Sequence, residues 1–128
     1  MDLRILIVDD SLRMRRIIAS ILSLHSGWAI CGEAENGLSG IEKFQELKPD
    51  LVLLDFGMPD MSGIEVAARM STSDPTIPLI LFSVWDTDAF EREAAQAGIS
   101  AVVRKSESWK LIEKIESVCA ERPNPKLQ

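Results

Sequence analysis

Cysteine is scarce in this chain, histidine scarcer, and neither is placed to build a metal or redox framework. The 128 residues hold only Cys31 and Cys119, far apart and in no C-x-x-C pair, so neither a disulfide scaffold nor a zinc site is suggested and both read as buried thiols. The one histidine, His25, lies near the end of the first helical stretch and reads as a helix-terminal or surface residue rather than a phosphate carrier. Positive charge is in deficit: 20 acidic residues against 14 basic give a net charge of -6, which argues against nucleic acid as a direct partner. No apolar run approaches the roughly 20 residues of a membrane span, and Met1 to Val8 lacks a basic leader, so a cytoplasmic protein with no membrane partner is expected. Repeats, low-complexity segments and a G-x-x-x-x-G-K-[ST] phosphate loop are all missing.

What is present is the material for one domain, 46% hydrophobic and arranged in alternating patterns. Ile5 to Val8, Leu51 to Leu54, Leu79 to Phe82 and Ala101 to Val103 are near-continuous apolar runs, as in strands covered on both faces of a parallel sheet. Trp28 to Glu33 is a less regular fifth, expected at an edge. Between the runs, helical spacing predicts a first helix behind Ser11 (Met14, Ile17, Ile18, Ile21) and a second behind Asn36 (Leu38, Ile41, Phe44, Leu47) that ends at Pro49. A third (Ile64, Ala67, Ala68) stops before a loop from Ser71 to Pro78. A fourth is capped by Asp86 or Asp88 and closed by Gly98, and a fifth is capped by Ser106, with Trp109, Ile112, Ile115 and Val118 apolar. Five strands alternating with five helices predict an α/β, doubly wound, five-stranded parallel sheet, with residues 1–120 as the domain and 121–128 as a linker or C-terminal tail.

Ligands in that class bind beyond the carboxyl ends of the strands. Asp9 and Asp10 follow the first strand, Asp55 the third, Ser83 the fourth and Lys105 the fifth, so the sheet gathers them at one edge. An acidic residue at a strand end often only begins a turn or caps a helix. Three together repel one another, and their repulsion implies a cation. Oxygen ligands without His or Cys suit a hard ion, and few carboxylates with room for water and a phosphate suit Mg2+ better than Ca2+.

Three segments in order resemble the bacterial response-regulator receiver family: Ile5-Leu6-Ile7-Val8-Asp9-Asp10-Ser11, Pro49-Asp50-Leu51-Val52-Leu53-Leu54-Asp55-Phe56-Gly57-Met58-Pro59, and Pro78-Leu79-Ile80-Leu81-Phe82-Ser83. Lys105 follows them. The resemblance covers Leu3 to about Ala120 and implies a (βα)5 flavodoxin-like receiver fold. It further implies a phosphorylation-dependent switch of a two-component system. Asp55 is then the phosphorylation site, attacking the phosphohistidine of a histidine kinase or phosphotransfer protein. Asp10 would be a direct Mg2+ ligand, Asp9 would act through water, and the Gly57 carbonyl would complete the metal's protein ligands. Lys105 would bind a phosphoryl oxygen, while Ser83 would hydrogen-bond the phosphoryl group and draw its loop inward. The partner downstream would be an effector domain or target protein, a C-terminal DNA-binding domain absent here being one form, and a phosphorylation-dependent dimer is compatible with the family.

Departures from the family pattern accompany these matches. Ser106 follows Lys105 where many receivers have proline, so a cis bond is not expected there. Val102 stands where an aromatic is common, which removes the usual ring from the switch. Val84, after Ser83, is bulkier than the residue common at that position. Arg13, Arg15 and Arg16 read either as a kinase-docking face or as a solvated one. Trp109 and Phe90 read as core or as partner-facing. A stand-alone protein-binding receiver is the alternative to an effector-linked one. An aspartate-nucleophile phosphatase on a similar fold is disfavoured, since Gly57 replaces the second Asp that such enzymes carry. The chain is thus expected to phosphorylate and dephosphorylate itself without turning over an external substrate.

Overall fold

In the computed structural model, which describes residues 2–85 and 87–121, hydrophobic alternation translates directly into layers. The strands are β1 (Leu3–Val8), β2 (Trp28–Ala34), β3 (Leu51–Asp55), β4 (Leu79–Ser83) and β5 (Ala101–Arg104). They form one parallel sheet in the order β2-β1-β3-β4-β5, the doubly wound arrangement the alternating pattern predicts, with β2 at an edge. Ile5 and Ile7, Leu51 and Leu53, and Ile80 and Phe82 face one layer; Leu6 and Val8, Val52 and Leu54, and Leu79 and Leu81 face the other. Both faces must therefore be covered, and helices do so.

Helices α1 (Leu12–Leu22) and α5 (Leu111–Glu121) bring Ile18, Leu22, Leu111, Ile115 and Val118 to the first face. On the second lie α2 (Gly37–Leu47), α3 (Gly63–Ser73) and α4 (Asp88–Gln96), contributing Phe44, Val66, Ala67, Met70 and Ala94. Burying a large aliphatic side chain contributes about 1.5–3 kcal/mol, so the central strands anchor the sheet.

Ser11 and Asn36 cap α1 and α2 as expected, their side chains accepting from Met14 N and Ser39 N. Other boundaries differ from the sequence expectation. Thr87 caps α4 by accepting from Phe90 N, so Asp88 is the first helical residue instead of the cap; Asp86 lies outside the described residues. Helix α3 continues through Ser71, Thr72 and Ser73, with Val66 and Met70 on its buried face and Ala68 exposed. Among the described residues Ser106 caps no helix. It lies in a 3-10 segment, Lys105–Lys110, where Glu107 leaves helical geometry (φ -125°, ψ 41°), and α5 begins only at Leu111. Trp109 therefore falls outside α5 and is 68% exposed. Ile17 and Leu38 fit the helical spacing but also face solvent. Both thiols are half-buried. Of residues 121–128 only Glu121, the last of α5, belongs to the described chain; 122–128 lie outside it.

Two glycines fix how closely the elements approach. Gly98, at φ +98°, ends α4: its N–H donates to Ala95 O and Ile99 N–H to Ala94 O, the paired bonds of a Schellman ending. Gly63 begins α3 against the turn after β3, and its N–H donates to Phe56 O at 2.7 Å. A Cβ at Gly63 would lie 2.7 Å from Leu81 Cδ1 and 3.0 Å from Phe56 Cα. Gly63→Ala should therefore lower stability by about 1–3 kcal/mol through overpacking. Urea unfolding measures this, and an unchanged midpoint would show that α3 retreats freely.

Candidate functional site

The carboxyl ends of β1, β3, β4 and β5 meet at the point where the chain reverses its direction across the sheet. There Asp9, Asp10 and Asp55 each place a carboxylate oxygen within 4.8 Å of the others. Asp9 and Asp55 are 1% exposed, whereas Asp10 faces solvent. Lys105, just past β5, sets its Nζ 2.6 Å from Asp55 Oδ1. Three negative charges against one positive leave an excess of two negative charges.

The turn after β1 explains why Asp9 both shapes the backbone and remains chemically unsatisfied. Ser11 N–H donates to Asp9 Oδ1 at 2.8 Å, the Asx turn expected of an acidic residue at a strand end. Among the described residues Asp9 Oδ2 is buried without a hydrogen-bond partner, and so is Asp55 Oδ2. Buried polar atoms are nearly always paired, so two orphaned oxygens beside a third carboxylate fit a hard divalent cation. Burial raises the Asp9 carboxyl from an ordinary 3.8 to about 6, with Asp55 and Asp10 adding to the rise and the Ser11 hydrogen bond and Lys105 opposing it. Burial likewise pushes Asp55 up against the pull of Lys105.

The other residues singled out from the sequence fall around this cluster at different distances from it. Gly57 lies exposed after β3 and donates its N–H to Asp55 Oδ1 at 3.4 Å; a Cβ there would meet nothing within 4 Å, so its carbonyl and not its missing side chain is what the position offers. Ser83 is fully buried at the end of β4, its Oγ accepting from Trp85 N at 2.8 Å, which leaves the hydroxyl proton to be given elsewhere. Val84 and Trp85 are 67% and 56% exposed. Val102 is half-buried, lining a depression with Glu91, Ala94, Ile99 and Lys114. Among the described residues no peptide bond is cis, the Lys105–Ser106 bond included.

His25 is remote from this edge: it sits in the α1–β2 loop, stacked on Trp28 at 3.7 Å, its Nδ1 accepting from Gly27 N. Phe90 is half-buried and meets Phe56, the residue after Asp55, edge-on at 5.2 Å, which makes it a packing residue.

Two charged residues bear on the site in ways the sequence reading did not extract. Asp60 accepts from Gly37 N at 2.8 Å and Leu38 N at 2.9 Å, tying the β3–α3 loop to the start of α2, and those two bonds hold its pKa below the usual carboxylate value. Its signal was available, since a helix start needs acceptors, but the partner lies 22 and 23 residues away in sequence. Arg15 leaves the exposed arginine face. Its Nη1 donates to Asp9 O at 2.7 Å and its Nε to Glu33 Oε1 at 2.9 Å, while Arg13 and Arg16 face solvent.

Comparison with known proteins agrees with this arrangement. The response regulator receiver domain matches residues 5–116. Chemotaxis protein CheY of Thermotoga maritima is 35% identical over 119 residues, covering 92% of this chain and 98% of that protein. Response regulator GacA of Pseudomonas syringae pv. syringae is 34% identical over 103 residues, 80% of this chain but 48% of that protein. A solved two-component response regulator of the LuxR family from Aurantimonas sp. SI85-9A1 superposes with a TM-score of 0.89 at 28% identity, covering 99% of this chain and 93% of that one.

The raised Asp9 pKa makes a prediction about cation-free protein. A carboxyl that holds its proton more tightly when folded makes the folded state lose ground as pH rises from about 4 through about 6. The loss is at most about 3 kcal/mol, at roughly 1.4 kcal/mol per pH unit. Asp60 and Glu107, with lowered values, act in the opposite sense and at lower pH. Urea unfolding between pH 4.5 and 7.5 in chelator should thus show a steeper decline for the parent than for Asp9→Asn. Equal declines would mean that Asp9 carries no such penalty.

Proposed function

The chain belongs to the response regulator receiver family of two-component signalling, and we propose that Asp55 is its phosphoacceptor, loaded from the phosphohistidine of a histidine kinase or phosphotransfer protein. The observation that carries this reading is Asp55 itself. It is buried at the sheet edge, with one oxygen held by Lys105 and the other unpartnered beside two further carboxylates.

Asp9, Asp10, Asp55 and the Gly57 carbonyl would hold Mg2+, which supplies charge neutralisation for phosphoryl oxygens approaching a carboxylate cluster. A carboxylate oxygen of Asp55 forms the new bond to phosphorus as the phosphorus–nitrogen bond to imidazole breaks, and the imidazole leaves with the electron pair and takes up a proton. Lys105, already 2.6 Å from Asp55, exchanges that contact for a phosphoryl oxygen. Ser83 can turn its free hydroxyl proton toward the phosphoryl group, and the bond from Trp85 N moves with it. The chain's own residues thus supply self-phosphorylation from small donors and self-dephosphorylation, with no turnover of an external substrate.

The output is a changed surface around β4, β5 and the Val84–Trp85 loop, read by an effector domain or by a separate target protein. Likeness along 98% of a chemotaxis CheY supports a stand-alone receiver, while likeness to under half of GacA supports a receiver joined to an effector. A phosphorylation-dependent dimer is compatible with either form. The length of the full open reading frame separates the two.

Mass spectrometry after incubation with a small phosphodonor and Mg2+ should show one acid-labile, hydroxylamine-sensitive phosphoryl adduct on the parent and none on Asp55→Asn, a nearly isosteric change. An adduct of equal yield on the variant would assign the phosphoryl group elsewhere.

Val84 supplies a second test. Its side chain is exposed and follows Ser83, a position that by resemblance to other receivers lies beside the approach to Asp55, where a branched group would narrow it. Val84→Ala should accelerate both loading and loss of the phosphoryl group about three- to tenfold, equivalent to about 0.7–1.4 kcal/mol of barrier, with little change in stability. Stopped-flow Trp fluorescence follows both rates. Unchanged or slower rates would show that access past this residue is not limiting.

A further inference from the structure

Three hydrogen bonds hold the corner that presents Asp9 and Asp10 through Asp9 itself. Asp9 N–H donates to Ala34 O of β2 at 3.0 Å, its Oδ1 accepts from Ser11 N–H, and its carbonyl oxygen accepts from Arg15. That carbonyl belongs to the peptide joining the two acidic residues. Fixing it fixes the plane from which Asp10 departs. Asp10 is exposed, with no burial to hold it, so its placement beside Asp55 depends on the backbone it leaves.

Arg15 is built for this contact. It lies at the fourth position of α1, where a helical side chain leans back toward the N-terminus and so toward the strand end. Its side chain is only 13% exposed. Glu33 of β2 takes Nε while the carbonyl takes Nη1, so the planar fork is clasped from two sides. Lys43 of α2 donates in turn to the Glu33 carbonyl. With Nε and Nη1 engaged and most of its side chain covered, Arg15 is a poor candidate for a docking face, whereas Arg13 and Arg16 remain exposed.

We infer that Arg15, clasped by Glu33, is a positioning residue that orients the Asp9–Asp10 peptide so that both carboxylates meet one divalent cation. The inference rests on the cation reading proposed above. It has a distinctive sign. As a bare positive charge, Arg15 would repel a dication, so its removal would tighten binding; as a positioning group, its removal weakens binding.

Isothermal titration calorimetry with Mg2+ tests it on the parent, Arg15→Met and the charge-balanced pair Arg15→Met with Glu33→Gln, with urea unfolding in chelator recording stability separately. Both variants should bind Mg2+ about tenfold more weakly, the lower end of what outer partners of metal ligands contribute. Arg15→Lys, which keeps the charge but spans only one acceptor, should fall between and carries the test if the methionine variants do not fold. Unchanged or tighter binding in the variants overturns the inference and leaves Arg15 a brace for stability alone. A parent that gives no Mg2+ response overturns the cation reading, and this inference with it.

Discussion

Mutual repulsion among Asp9, Asp10 and Asp55 is the constraint to which the rest of this structure answers. Three carboxylates within 4.8 Å of one another, two of them buried, would ordinarily be avoided, because desolvation and like charge both oppose ionisation. The fold keeps them together by spending its most secure elements on them. Asp9 follows a fully buried strand end and Asp55 ends a strand whose five residues are all buried, so neither can withdraw without opening the hydrophobic layers. Lys105 offsets one charge, and the remaining two match a divalent ion. The cluster therefore carries a concentration of negative charge that a divalent cation would offset.

The supports around the site divide into apolar and polar ones, with different consequences. Buried strands set where the acidic residues begin; charged side chains set how the turns after them are aimed. Arg15 grips the turn after β1, while Asp60 ties the loop after β3 to α2. Both carry charge on a partly polar surface, where a single contact contributes modestly to stability. Their larger effect would be on orientation, since Mg2+ demands near-ideal ligand geometry.

Legibility in the sequence followed the same division. Continuous apolar runs such as Leu51 to Leu54 disclose strands covered on both faces, and the polar residue ending each run then falls at the edge where ligands bind. Helix faces were less legible, because spacing alone cannot separate Ile18, which is buried, from Ile17, which is not. The start of α5 was hidden for another reason: Trp109 fits its apolar spacing, but the nonhelical backbone of Glu107 interrupts the chain before it. Arg15 was misjudged because a run of arginines resembles a solvated face, whereas helical direction, applied residue by residue, points Arg15 back at Asp9.

The absence of a ring at Val102 shifts attention to the contacts that do connect the site with α4. Val102 is β-branched, with few rotamers and no large inward and outward positions to exchange. Two other links begin next to the chemistry. Ser83 Oγ holds Trp85 N in the loop leading to α4, and Phe56, adjacent to Asp55, meets Phe90 of α4 edge-on. A route of contacts transmits a signal only where an element has two arrangements, and packing constrains Val84 and Trp85 less than it does the rings. Its Val84 and Trp85 side chains are exposed, so a rearrangement need not break a packed core, whereas Phe56 and Phe90 are bound into the layer beneath the sheet. A change at Asp55 would thus meet the least packing resistance around Val84 and Trp85, which are exposed at the end of β4, while Val102 lines a depression with Glu91 and Ala94 of α4.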